Sequence, residues 1–205
     1  MAAIMDIIYS IVLGGTILMI ILNANDMASE NHSVYNGDML VQEMLITTAQ
    51  MVEGEFRNMG FGIPQTQASI IAADSSDITF LSDLGRDGGL IDQVRYYVGP
   101  TSELNRTQNE LDRYLHRRVN GGGVSEIGVV TIFKLRYLTI GGEELTTPVA
   151  ADRLSEIFVV EVTMEVQNPY AIMRHASEVG EGERDALFSS SLWQQTRLAS
   201  QNSRR

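Results

Sequence analysis

The sequence predicts an α+β chain in which one long N-terminal helix packs on a C-terminal antiparallel β-sheet. Three observations predict it. Residues 7–25 carry no charge. Residues 38–58 repeat apolar side chains at helical spacing. From about residue 68 onward, short stretches of alternating character are separated by turn residues. The organisation that follows is a transmembrane helical segment over 1–26, a globular domain over 27–170 and a polar, loosely ordered tail over 171–205.

The first element is the run from Ile7 to Asn25. As an α-helix it covers roughly 28 Å at about 1.5 Å per residue, close to the roughly 30 Å of a bilayer's hydrocarbon core. A core helix of a soluble protein normally keeps a polar face; here only Tyr9, Ser10 and Thr16 interrupt the apolar character. A cleaved secretory signal is the other alternative, but it calls for a basic n-region, and no Lys or Arg precedes Arg57. Asp6 stands at the N-terminal lip of the run. A carboxylate there is favoured by the helix macrodipole and can still reach water. Alternatively, it pairs with a cation on a partner. Gly14 and Gly15 lie inside the run, either as a weak point in the helix or as small residues that let helices approach closely in lipid.

The second element is amphipathic. Val41, Leu45, Ala49, Val52 and Phe56 form one stripe, and Gln42, Glu43, Gln50, Glu53 and Asn58 lie off it. No proline occurs between Met1 and Pro64, so one helix is expected to run to about Asn58, with Asn36-Gly37 as its one expected kink. Gly60 and Pro64 end it.

The remaining elements are strands, expected at Ala68–Ala72, Ile78–Leu81, Ile91–Val98, Tyr114–Val119, Val129–Leu138 and Ile157–Val166. In the last, Phe158, Val160, Val162, Met164 and Val166 share one face, and Glu161, Thr163 and Glu165 share the other. Phe133, Leu135 and Tyr137 face one way, with Lys134 and Arg136 opposite. The expected core joins the helix stripe to Phe133, Leu135, Phe158, Val160 and Val162. In the tail one short element is expected near Leu192–Leu198.

Composition narrows the chemistry. A net charge of −11 repels phosphate backbones, so nucleic acid is not an expected partner. The absence of cysteine excludes disulfides, thiolate nucleophiles and Cys-ligated metals. The histidines, His32, His116 and His175, show no metal-ligand spacing and accompany no G-x-S-x-G elbow. His116, beside Arg117 on a strand, reads as a surface residue. Asp83, Asp87 and Asp92 surround a turn and are the one weak candidate for a hard-cation site, with a simple β-turn as the plainer account. No cofactor is expected.

Four segments together resemble a known family. They are EGEFRNMGFGIP (53–64), DITFLSDLGRDGGLIDQVRYYV (77–98), YLHRRVNGG (114–122) and VVTIFKLRYL (129–138). They are similar, in order and spacing, to the helix end, the D-x-D-G hairpin and the two following strands of PilW-like minor pilins and J-type type II secretion pseudopilins. Both belong to the type IV pilin superfamily. The resemblance spans roughly residues 39–168. The family's T-L-I-E-like segment is replaced here by MAAIMDII; with Met1 removed, Asp6 becomes the fifth residue, where the family places its glutamate.

The resemblance implies a structural, non-enzymatic subunit of a type IV pilus or a type II secretion pseudopilus. It implies a single pass through the bacterial inner membrane, with the globular domain outside the cytoplasm. Its partners would be the lipid bilayer, an inner-membrane assembly platform and other pilin or pseudopilin subunits. Asp6 would act in assembly, and Gly14 and Gly15 would mark where the helix melts on packing. Two alternatives stand beside this reading: a single-pass anchored sensor or binding domain, and an anchored hydrolase, against which the missing nucleophile–base constellation counts.

Overall fold

A computed structural model describes residues 2–64, 67–85, 91–104, 107, 109–167 and 193–199; residues 2, 3 and 193–199 are described through the backbone alone. The first element, α1 (Ala2–Arg57), is one unbroken helix of 56 residues. Nothing in the stretch before Arg57 forbids this: there is no proline, and each glycine costs only about 1 kcal/mol of helix propensity. The expected interruption at Asn36-Gly37 does not break it. Gly37 is buried within the continuous helix.

The helix ends where expected. Gly60 takes a positive φ of 75°, a conformation that costs glycine little. Its N–H donates to Leu81 O at 2.8 Å, stitching the helix terminus to the sheet. Ser82 Oγ donates to Asn58 O at 2.8 Å and adds a second stitch.

The strands form two sheets, where a single sheet was expected. The first is an antiparallel meander of β1 (Ile70–Ala73), β2 (Asp77–Ser82), β3 (Asp92–Val98), β4 (Arg113–Val119) and β5 (Val124–Val130), in that spatial order. The second contains β6 (Ile132–Leu138), β7 (Glu144–Leu145), β8 (Val159–Glu165) and β9 (Trp193–Ala199), in the order β7-β6-β8-β9. The expected strand Val129–Leu138 is therefore divided. The chain passes from one sheet to the other at Thr131, whose N–H donates to Glu165 O at 2.8 Å. Between β4 and β5, Asn120 and Gly121 both adopt positive φ, and Gly122 N–H donates to Val119 O. That is a type I′ turn, the hairpin turn that suits the twist of paired strands.

One core joins the helix to both sheets. Val41, Leu45, Val52 and Phe56 of α1 bury against Ile78, Phe80, Val94, Tyr96 and Leu115 of the first sheet and Phe133, Leu135, Val160, Val162 and Met164 of the second. The rings of Phe56, Phe80 and Tyr96 cluster, with Phe56 edge-on to Phe80 at 5.6 Å and to Tyr96 at 5.3 Å. Two details correct the expected faces. Phe158 lies just before β8 and is only half-buried. Glu161, assigned to the polar face, is 1% exposed. It sits in the middle of its sheet, where Arg136 of β6 donates to it at 3.1 Å and position 197 of β9 lies across the other side. In the tail, β9 falls where a short element was expected near Leu192–Leu198; residues 168–192 and 200–205 lie outside the described set.

Candidate functional site

Among the described residues, the first half of α1 is the feature that nothing packs against. Fourteen large apolar residues between Ile4 and Leu22 are half to two-thirds exposed on every side of the helix. This helix is long and apolar enough to cross a membrane. Single apolar side chains on a surface are ordinary, whereas a contiguous patch larger than a few hundred Å² is not. Two hydroxyls in the stretch bond back to the helix itself. Ser10 Oγ donates to Asp6 O at 2.8 Å and Thr16 Oγ1 to Leu13 O at 2.9 Å. Such back-bonding satisfies the Ser10 and Thr16 hydroxyls within the helix, as a hydrocarbon environment requires, while Tyr9 near the start of the run is exposed.

Asp6 is exposed at the start of this half. Gly14 and Gly15 are helical, and a Cβ added to either would meet open space. No group among the described residues presses on them, so among those residues neither glycine answers a steric need.

The second half of α1 has two faces. The stripe from Val41 to Phe56 is buried, with Ala49 partly so. Tyr35, Met39 and Ile46, at spacings of four and seven, form an exposed apolar stripe. Acidic residues accompany it: residues 2–56 hold seven carboxylates and no Lys or Arg. Glu55 faces the first sheet and is the centre of a polar hub. It accepts from Tyr96 Oη at 2.6 Å and from Arg117 Nε at 2.9 Å. Burial, reinforced by the Glu55 charge, pushes the Tyr96 hydroxyl far above the usual tyrosine range. The hub joins α1, β3 and β4 through a charged pair whose side chains are each only about one-fifth exposed. Helical spacing alone does not mark Glu55, because its partners Tyr96 and Arg117 lie 41 and 62 residues away in the chain.

Of the candidate cation turn, Asp83 and Asp92 are among the described residues. Asp92 is occupied, accepting from Leu84 N–H at 3.3 Å and from Asn120 Nδ2 at 2.6 Å. Asp83 is buried and its N–H donates to Phe61 O; Asp87 lies outside the described residues. Among the described residues, no three His, Asp or Glu side chains are placed to hold a metal ion.

No family model, curated protein or solved structure matches this chain.

His116 departs from its sequence reading as a surface residue. It is 6% exposed, and its Nε2 lies 2.8 Å from Glu103 Oε2. The cause is the short 3₁₀ turn Thr101–Leu104, which folds back over β4. Gly99 permits the approach: a Cβ there would collide with Glu103 Oε2 and stand 2.7 Å from His116 Nε2. His32 is exposed on α1, and His175 lies outside the described residues.

Proposed function

We propose that the chain is a membrane-anchored structural subunit of the minor pilin or pseudopilin kind, inserted by the first half of α1 and built into a filament through that helix. The globular domain lies outside the cytoplasm of a bacterial inner membrane. Its partners are other pilin-like subunits and an inner-membrane assembly platform, and it performs no chemistry of its own. The observation that carries the reading is the division of one continuous helix: its first half is apolar and uncovered all round, and its second half is packed on two antiparallel sheets. The four segments resembling PilW-like proteins support the same reading.

Asp6 has its role in assembly on this reading. A carboxylate is costly to bury in low dielectric unless an opposite charge meets it, and a neighbouring subunit's N-terminal amine is the cation the resemblance supplies. The native chain has no cysteine, so a single Ile17→Cys is a clean reporter of helix neighbours. In cells that make the filament, Ile17→Cys should form intermolecular disulfides with cysteine-bearing partner helices. The further change Asp6→Ala should reduce them several-fold while leaving the domain folded. Wild-type cross-linking in the Asp6→Ala background would overturn the assembly role. Partition of the intact chain into the soluble fraction, without detergent or filament, would overturn the anchor itself.

A further inference from the structure

On the face of the first sheet turned away from α1 lies a recess of about 420 Å³, lined by Tyr97, Glu103, Tyr114, His116, Val124 and Glu126. Strand register builds it. Tyr97 of β3 is directly opposite His116 of β4, and His116 is opposite Glu126 of β5. Tyr114 lies two residues before His116 and so shares its face. The three rings are tilted against one another rather than stacked. Tyr97 and His116 meet at 5.0 Å and 31°, and Tyr114 and His116 at 5.9 Å and 49°. Tilted rings make a concave aromatic wall.

The wall has a carboxylate on each side. Glu103 comes from the 3₁₀ turn and remains partly exposed even while paired with His116. Glu126 comes from the edge strand β5 and is exposed. No Lys or Arg lines the recess among the described residues. Among the described residues, the nearest arginines on this face already have partners. Arg95 bonds Asp77 and lies over the Tyr97 ring at 4.6 Å, and Arg118 donates to the carbonyls of Gly121 and Gly122. Arg95 over Tyr97 is a cation–π contact at one end of this row of rings. His116, with its Nε2 on the Glu103 carboxylate, keeps a buried Nδ1 that has no hydrogen-bond partner among the described residues, although buried polar atoms are usually paired.

We propose that this recess binds a primary alkylammonium group between the Glu103 and Glu126 carboxylates and against the Tyr97–His116–Tyr114 wall. Aromatic faces with adjacent carboxylates favour a cation, the chain's net charge of −11 draws one in, and N–H donors match the oxygens available. The group belongs either to a free amine or to a lysyl side chain. The site is independent of the filament reading, since it lies on the opposite side of the sheet from α1.

The full chain in detergent micelles, observed through the histidine Hε1 signals, tests this; a His116→Gln variant identifies the His116 signal. Addition of n-butylammonium should shift it saturably, with half-saturation at roughly 1–10 mM. Neutral n-butanol should give no saturable shift, and butyltrimethylammonium, which lacks N–H donors, should bind more weakly. Glu103→Gln, which still accepts from His116, and Glu126→Gln should each raise the half-saturation point about five- to tenfold. Tighter binding by acetyl-Gly-Lys-Gly-amide than by butylammonium would support the proposal and mark the source as a protein side chain. Binding by the free amine alone would support it and mark the source as a small amine. No saturable shift up to about 50 mM, equal shifts from butanol, or unchanged affinity in both glutamine variants would overturn it.

Discussion

Replacing Tyr96 with Phe tests whether the second half of α1 is seated on the first sheet through the Glu55 hub. Tyr96 is wholly buried, and its hydroxyl donates to Glu55 at 2.6 Å. The substitution removes that bond, keeps the ring, and leaves Glu55 bound to Arg117 at 2.7 Å. A hydrogen bond to a charged acceptor contributes about 1.5–3 kcal/mol. The low end applies here, about 1.5–2 kcal/mol, because Glu55 retains one-fifth of its exposure and water can replace part of the loss. Glu55→Ala is worse in kind: it leaves the Tyr96 hydroxyl buried without an acceptor, at about 1–3 kcal/mol, and frees Arg117. The double variant Glu55→Ala/Tyr96→Phe should recover part of that penalty, so the two losses should fall short of additivity by about 1 kcal/mol. Thermal and denaturant unfolding of the full chain in micelles, followed by near-ultraviolet dichroism, reads all three. The Tyr96→Phe change corresponds to roughly 3–8 °C in Tm for a domain of this size. Tyr96→Phe within about 0.5 kcal/mol of the wild type, or strict additivity in the cycle, would refute the hub.

Two further outcomes follow from the same packing. Tyr96 and Tyr137 are both held protonated, chiefly by burial, with native pKa values well above the ordinary value of about 10. Their contribution is full below the unfolded pKa and is lost as pH climbs toward the native values. Unfolding free energy should therefore be flat with respect to these groups up to about pH 10. Above that it should fall by up to about 1.4 kcal/mol per pH unit for each tyrosine; Tyr137→Phe should remove its share of the slope, and an unchanged alkaline slope in that variant would contradict the assignment. Gly128→Ala places a Cβ in collision with Thr48 Oγ1 and 3.3 Å from its Cγ2. It should cost about 1–3 kcal/mol, with Thr48→Ala in the same chain restoring most of the loss; no rescue would mean that α1 does not lie against β5 there.

The helix was legible because its signals are local. Charge, proline and spacing decide it residue by residue, and the stripe Val41, Leu45, Val52 and Phe56 is the buried face. Most strand positions were legible for the same reason, since alternation is read within one strand. Val124–Gly128 of β5, which follows Gly122 and Gly123 and shows no clear alternation, and the two-residue β7 were not expected as strands. What escaped depends on partners distant in sequence. The break at Thr131 was hidden because Val129–Leu138 is uninterruptedly strand-like, and only pairing tells that Val130 belongs to Arg113 and Ile132 to Glu165. Glu161 looked solvent-facing because alternation cannot report what a neighbouring strand lays across the polar face. His116 looked exposed because the 3₁₀ turn that covers it lies 12–15 residues earlier, beyond the glycine at position 99. Of the turn aspartates, Asp92 accepts from Leu84 N–H and from Asn120 of the β4–β5 turn, a contact between hairpins that spacing along the chain does not show.

Two carboxylates give the proposed anchor a depth. Asp6 and Asp26 are twenty residues apart in one unbroken helix, and every residue between them is uncharged. At about 1.5 Å per residue they stand roughly 30 Å apart along the axis, the thickness of a bilayer's hydrocarbon core. Between Ile7 and Leu22 lie ten Ile, Leu and Val residues, each favouring insertion by about 0.3–0.6 kcal/mol, or about 3–6 kcal/mol together. An aspartate carried to the membrane centre costs about 2.5–3.5 kcal/mol. Sliding the helix inward from either side therefore forfeits a large part of the gain, and the span is pinned with one carboxylate at each interface. On the filament reading, Asp6 must leave its interface when the helix is drawn out of the bilayer. The same energetic argument then demands a cation at the destination.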